Sequence, residues 1–328
     1  MGDAETGTHS PSRIASIDQF RGYAIAGMIL VNFLGQFAAI PAQFKHHSTY
    51  MTYADTIAPV FIFVVGMGFR LSFMRRSAAK GPWRARWDAA KRYSILTIVG
   101  IVFYGGPWTV VWWDALTDIG IAGLLAIPFI DKPRAVRVVA ATAYLALYQA
   151  LFTWAGYGAW TMKHSIDGGP LGPLSWAFIL LFGSLAYDAM AEKKTEKTFA
   201  HLLGWGLALC VAGLALRAEW PGVKEFWYFT QKGMTAPYPV YSMGLAFLTL
   251  LAFYFASDGW GWQVPTFTVM GMNPLILYLV HSVIMTSNQG FFPTNSPVWK
   301  GVLAFTLFYA LCYAVARRLY NDRVVIKL

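Results

Sequence analysis

Long apolar runs, broken at short intervals by charged or glycine- and proline-rich stretches, dominate this chain. A helix needs about 20 mostly apolar residues to cross a bilayer. Ten segments approach that length: roughly 20–40, 56–74, 93–111, 113–130, 135–154, 173–190, 199–216, 238–256, 266–286 and 298–316. The pattern predicts an all-α, polytopic integral membrane protein with about ten transmembrane helices in one bundle. Residues 1–12 are polar and acidic, without a basic n-region or a cleavage site. They read as a disordered cytoplasmic tail rather than a signal peptide, ahead of a single membrane domain over 13–328.

Composition agrees, with 57% hydrophobic and 13% charged residues. The net charge of +10 raises the question of a nucleic-acid partner, but the distribution of charge answers it. If ten spans alternate, 20 of the 26 basic residues fall on one side, eight of them between Arg70 and Arg92. The positive-inside rule then places both termini in the cytoplasm. Topology accounts for the charge, and no nucleic-acid partner is expected. Cys210 and Cys312 stand alone inside predicted spans and read as packing residues, not as a disulfide or a metal pair.

Ionisable and amide groups inside a bilayer usually face the protein interior or a wet cavity. Asp18, Arg21 and Asn32 fall on one helical stripe, which Gln36 extends by a further turn. Asp18 and Arg21 read as an ion pair, whereas Asn32 fits either a helix–helix hydrogen bond or a functional role. Asn273 and His281 can line one cavity at different depths, with Pro274 loosening the helix locally. Asp114 and Asp118 share a helical face and read as structural. Between the first two spans lies FKHHSTYMTYAD, residues 44–55, which sets His46 and His47 at the membrane lip. Histidine titrates near neutral pH and can take and return a proton there. Asp55 opens the next helix, where the free N–H groups stabilise a carboxylate; it also lies near enough to orient an imidazole. Trp108, Trp112, Trp113 and Trp160 crowd the opposite loops, as an interfacial belt or as a stacking wall for a sugar ring.

Several of these residues form an ordered set: RIASIDQFRG (13–22) followed by MILVN ending at Asn32, then FKH, Thr52-x-x-Asp55, the Pro59–Gly66 run, and GMN with His281. In order and spacing they resemble the catalytic domain of heparan-alpha-glucosaminide N-acetyltransferases, including bacterial relatives tied to N-acetylglucosamine use. The resemblance implies a transmembrane acyltransferase in the inner membrane. It would carry acetyl from cytoplasmic acetyl-CoA to the amine of glucosamine or a related amino sugar on the far side, as a homodimer among membrane lipids. It maps catalytic roles onto His46, Asn32, Asp55, Asn273 and His281. The chain departs from many relatives between histidine and threonine, where Ser48–Met51 replaces a Trp-Asn-Gly with one residue fewer; His47 therefore stays as an alternative to His46.

An ammonium must lose a proton before it can attack a thioester. A neutral histidine can serve as that base, or attack the thioester itself and form an acetyl-imidazole. Asn32 and Asn273 offer donors for the developing oxyanion. Arg75, Arg76, Arg84, Arg86, Lys91 and Arg92 are the candidates for holding the acetyl-CoA phosphates, although a positive-inside loop would look the same. No metal is expected, since the six histidines show no ligand spacing beyond the adjacent pair. A transporter of N-acetylglucosamine or a similar sugar would line its path with the same polar residues, and O-acetylation of an envelope glycan is a third reading.

Overall fold

The computed structural model describes residues 14–109, 112–192, 194–218, 227–288 and 291–325. The expected tail over 1–12 lies outside the described residues. Every regular element among them is helical: α1 (Ala15–Leu34), α2 (Tyr53–Lys80), α3 (Pro82–Tyr104), α4 (Ala115–Ala126), α5 (Arg134–Trp154), α6 (Tyr157–His164), α7 (Gly172–Ala191), α8 (Thr195–Arg217), α9 (Pro237–Phe253), α10 (Pro265–Met270), α11 (Pro274–Asn288) and α12 (Val298–Asn321).

Each of the ten expected spans overlaps helix, but among the described residues six helices are long and apolar enough to cross a bilayer: α2, α5, α7, α8, α9 with its π-helical extension to Gly259, and α12. The other four differ for local reasons. Asp18, Arg21 and Asn32 make α1 too polar to qualify, and α3 opens on Arg84, Arg86, Asp88, Lys91 and Arg92. Helix α4 has only 12 residues, about 18 Å at 1.5 Å per residue, because Asp114 caps its start and Pro128 follows its end. The ninth expected span breaks at Gly271–Asn273 into α10 and α11, since Pro274 cannot continue the preceding turn.

Glycines set how closely the helices approach. A Cβ on Gly66 of α2 would stand 2.0 Å from the Leu180 carbonyl oxygen of α7. One on Gly183 of α7 would stand 2.1 Å from that of Phe63 of α2. Each helix thus lays its backbone against the glycine of the other, the small-residue packing that joins helices where lipid supplies no hydrophobic drive. Gly22 of α1 meets the Phe267 carbonyl of α10 in the same way. At the Arg70 end of α2 the charges are paired: Arg70 and the fully buried Arg137 of α5 both bind Asp188 of α7, and Arg137 also donates to Ser184 at 2.7 Å. Ion pair and glycine contact together fix α2, α5 and α7 as the rigid centre.

Gly66→Ala or Gly183→Ala forces the two backbones apart. Overpacking of this kind costs about 1–3 kcal/mol, so each variant should melt at a lower temperature than wild type in detergent, while alanine at the open position Gly68 should not.

Candidate active site

Asp55 organises the site. At the start of α2, its Oδ2 accepts from the Thr52 backbone N–H at 3.0 Å, and the Thr52 hydroxyl sits 3.0 Å away, in a capping box. The second oxygen, Oδ1, accepts from His46 Nδ1 at 2.9 Å. Thr52 Oγ1 also lies 2.8 Å from the Lys45 carbonyl, which anchors the loop that carries His46. Asp55 is 1% exposed and the imidazole 45% exposed, so a buried carboxylate holds a ring that faces an open space. Binding through Nδ1 leaves Nε2 as the nitrogen available to a ligand. Burial pulls the His46 pKa down, but the hydrogen bond and charge of Asp55, helped by Asp167 and Asp114, raise it above the usual histidine value.

His46 borders two connected spaces. A vestibule of about 1100 Å³ is lined by Asn32, Gln36, His46, Asp114, Asp167 and His281, among others. Beneath it, a throat of about 80 Å³ shares Asn32, His46, Asp114, Asp167, Gln231 and Tyr278 with the vestibule and adds apolar walls including Phe61. Phe61 and Tyr278 in turn border a third cavity of about 520 Å³, whose polar lining includes Arg21, Arg75, Arg76 and Arg92. Among the described residues, Tyr278 lines all three.

Asn32 and Gln36 of the α1 stripe both line the vestibule. Asn32 Nδ2 lies 3.2 Å from His281 Nε2. His281 Nδ1 is bound to the Tyr278 carbonyl, so Nδ1 carries the proton and Nε2 accepts from Asn32. His281 is 1% exposed and acts on the Asn32 amide. Gln36 reaches back to the Asn32 carbonyl at 3.0 Å.

Other expected residues fall elsewhere. His47 accepts from the Thr49 N–H at 3.2 Å and stacks on Tyr50, away from Asp55. Asn273 donates to the Val324 carbonyl at 2.8 Å, at the guanidinium end, where Val325 lines the third cavity. Of the six basic candidates, Arg75, Arg76 and Arg92 line that cavity. Arg86 instead pairs with Asp131, Lys91 lies over the Trp87 ring, and Arg84 is exposed. Arg21 joins the cavity lining while keeping its pair with Asp18 at 2.7 Å. Trp108 and Trp160 stack on each other at 6.4 Å, outside the vestibule lining. Among the described residues, no three His, Cys, Asp or Glu side chains are grouped to hold a metal.

Asp114, Asp167, Gln231, Tyr104 and Tyr278 were not foreseen as site residues. Asp114 caps α4 and accepts from the Tyr278 hydroxyl at 3.2 Å. Asp167, in a left-handed turn at φ 49°, accepts from Gln231 Nε2 at 3.2 Å. Burial, then the charge of Asp114, pushes the Asp167 pKa up to about 7; burial likewise raises Asp114. The available signal was helical spacing: Tyr278 stands one turn before His281 on the same face. Asp167 gave no such cue, because its partner Gln231 lies 64 residues further along the chain.

A bundle of apolar helices around a chain of cavities, with an imidazole at one end and guanidinium groups at the other, defines a helical membrane protein with its site inside the bundle. The chain belongs to the family described as heparan-alpha-glucosaminide N-acetyltransferase, catalytic, whose model matches residues 13–215. It is 30% identical over 128 residues to the human heparan-alpha-glucosaminide N-acetyltransferase, covering 36% of this chain and 18% of that protein. It is 31% identical over 147 residues to an uncharacterized 39.9 kDa protein in the amylase 3' region of Bacillus acidopullulyticus, covering 43% of this chain and 40% of that one. The chain thus spans less than half the length of these curated relatives.

The contrast in exposure between the two site histidines is directly measurable. Diethyl pyrocarbonate should modify His46 well before His281, as read by peptide mass spectrometry on the folded protein. Equal modification would contradict the arrangement described.

Proposed function

We propose that this protein transfers an acetyl group from acetyl-CoA, held at the guanidinium cavity, to the amine of glucosamine or a related amino sugar that enters the vestibule. The observation that carries the reading is the shared wall of Phe61 and Tyr278 between the His46 throat and the cavity bearing Arg21, Arg75, Arg76 and Arg92. Guanidinium groups suit phosphates, and an oriented imidazole suits removal of a proton from an ammonium. Family membership supports acyl transfer. Ser48–Met51 in place of Trp-Asn-Gly favours a small amino sugar over a heparan chain.

His46 is the residue we assign as base, in preference to His47, because Asp55 holds its Nδ1 and leaves Nε2 for the amine. Asp55 fixes the tautomer, and Asn32, held by His281, donates to the oxyanion. On this reading the amine nitrogen attacks the thioester carbon, His46 takes the amine proton, and the C–S bond breaks to release the CoA thiolate. Direct transfer needs no acetyl-imidazole. The guanidinium cavity faces the cytoplasm by the positive-inside rule, with the vestibule across the inner membrane. Arg21, near the start of the described chain, and Val325, at its end, both line that cavity, which supports both termini on the cytoplasmic side.

Purified protein with acetyl-CoA and glucosamine should release free thiol. His46→Ala should lower the rate about 10²–10⁴-fold, the usual contribution of a general base, while His47→Ala should leave it within a few fold. Labelled sugar accumulating in proteoliposomes without acetyl-CoA would favour transport instead.

The raised His46 pKa sets the pH dependence. The base acts neutral, so activity should be full above that value and fall as pH drops through it, with a midpoint above 6.5. In Asp55→Asn the largest upward influence disappears while burial remains, so the midpoint should move to lower pH. The rate at the plateau should fall as well, because the imidazole loses its orientation.

A further inference from the structure

Tyr278 occupies a position that base chemistry alone does not explain. It is the polar side chain common to the vestibule, the throat and the guanidinium cavity. Arg21, Arg75, Arg76 and Arg92 stop short of the throat, and Asn32 and His46 do not border the guanidinium cavity. A thioester entering from one side and an amine from the other must meet where the linings overlap. Phe61 is the other shared residue and has no hydrogen to donate.

The phenol is also held in place. Its hydroxyl meets that of Tyr104 and lies 3.2 Å from Asp114 Oδ1. Tyr104 reaches the same carboxylate. Two hydroxyls and one carboxylate therefore share two protons. A ligand oxygen at the junction would take the Tyr278 proton in place of Asp114, whose bond at 3.2 Å is already long for a hydroxyl donor, while Tyr104 goes on serving the carboxylate. The ring itself is fixed through its helix, whose Tyr278 carbonyl holds His281. Asn273, the donor expected from the sequence, is committed instead to the Val324 carbonyl.

We propose that the Tyr278 hydroxyl is the second oxyanion donor, meeting the acetyl carbonyl at the junction of the two cavities opposite the Asn32 amide. This rests on the acetyl-transfer reading above and adds to it a catalytic group. As the C–N bond forms, the carbonyl electron pair moves onto oxygen and is held by the Tyr278 and Asn32 hydrogens. On collapse the pair returns to re-form C=O, and the C–S bond breaks. The thiolate leaves into the guanidinium cavity, where it takes a proton from water, and His46 keeps the proton from the amine until it passes it to the vestibule. Tyr278 ends the cycle with its own proton.

The test is Tyr278→Phe, which keeps the ring and its packing. The kcat for acetyl-CoA and glucosamine should fall on the order of 10²–10³-fold, as removal of one oxyanion donor does elsewhere, with both KM values within about twofold of wild type. An infrared difference spectrum of bound [1-¹³C]acetyl-CoA gives a second readout that packing alone would not move. The carbonyl band should lie at lower frequency in wild type and in His46→Ala than in Tyr278→Phe. Tyr278→Phe with wild-type kcat overturns the assignment and leaves the acetyl-transfer reading standing. A fall in kcat with no change in the carbonyl band makes the residue structural and also overturns it. A wild-type protein that binds acetyl-CoA but transfers nothing to glucosamine, with no shifted band, sinks both.

Discussion

Asp55 has two carboxylate oxygens and uses them for different purposes. One closes the N-terminus of α2 through Thr52, and the other fixes the imidazole of His46. The first role is the N3 half of a capping box, which satisfies the Thr52 N–H. It makes the second role rigid, because a capping carboxylate has no freedom left to follow a wandering histidine. The loop from α1 arrives already tied, through Thr52 Oγ1 at the Lys45 carbonyl. Helix start, loop and imidazole are therefore one unit, and the vestibule is built around it. The lower frame is as stiff, since α2 is locked to α7 through Gly66 and Gly183.

How much of this was legible depends on the distance along the chain over which each contact acts. His46 and Asp55 lie nine residues apart, and a carboxylate three residues after a threonine is a capping signal that a sequence can carry. The Asp18–Arg21–Asn32 stripe follows from helical period alone, and the structure preserves it. The basic segment was readable as a group but not residue by residue. Arg75 ends up at the cavity and Arg86 on Asp131 because of how α2 and α3 are rotated about their axes, which depends on packing against neighbours. Asp167 and Gln231 meet only through the fold. Composition gave no hint that a glycine-rich loop would deliver a carboxylate beside His46.

The break at Gly271–Asn273 changes the meaning of the late motif. As a continuous span, it would have set Asn273 and His281 in one cavity. As two helices, it leaves Asn273 at the Val324 end and places Tyr278 and His281 together at the throat. Interrupted helices are tolerated at membrane depth where they line a protein-enclosed space, and this one does. The family match ends at residue 215, so α11 lies beyond it. Its contribution to the site rests on the geometry, through Tyr278 and the His281–Asn32 contact.

The narrowness of the throat bears on the bilayer as a barrier. The throat, at about 80 Å³, is much smaller than the cavities of about 1100 and 520 Å³ on either side of it. In the proposed reaction, what crosses is the acyl unit, while both of its carriers stay in their own compartments. Such a device can modify a sugar on the far side without opening a pore that would let ions or metabolites leak.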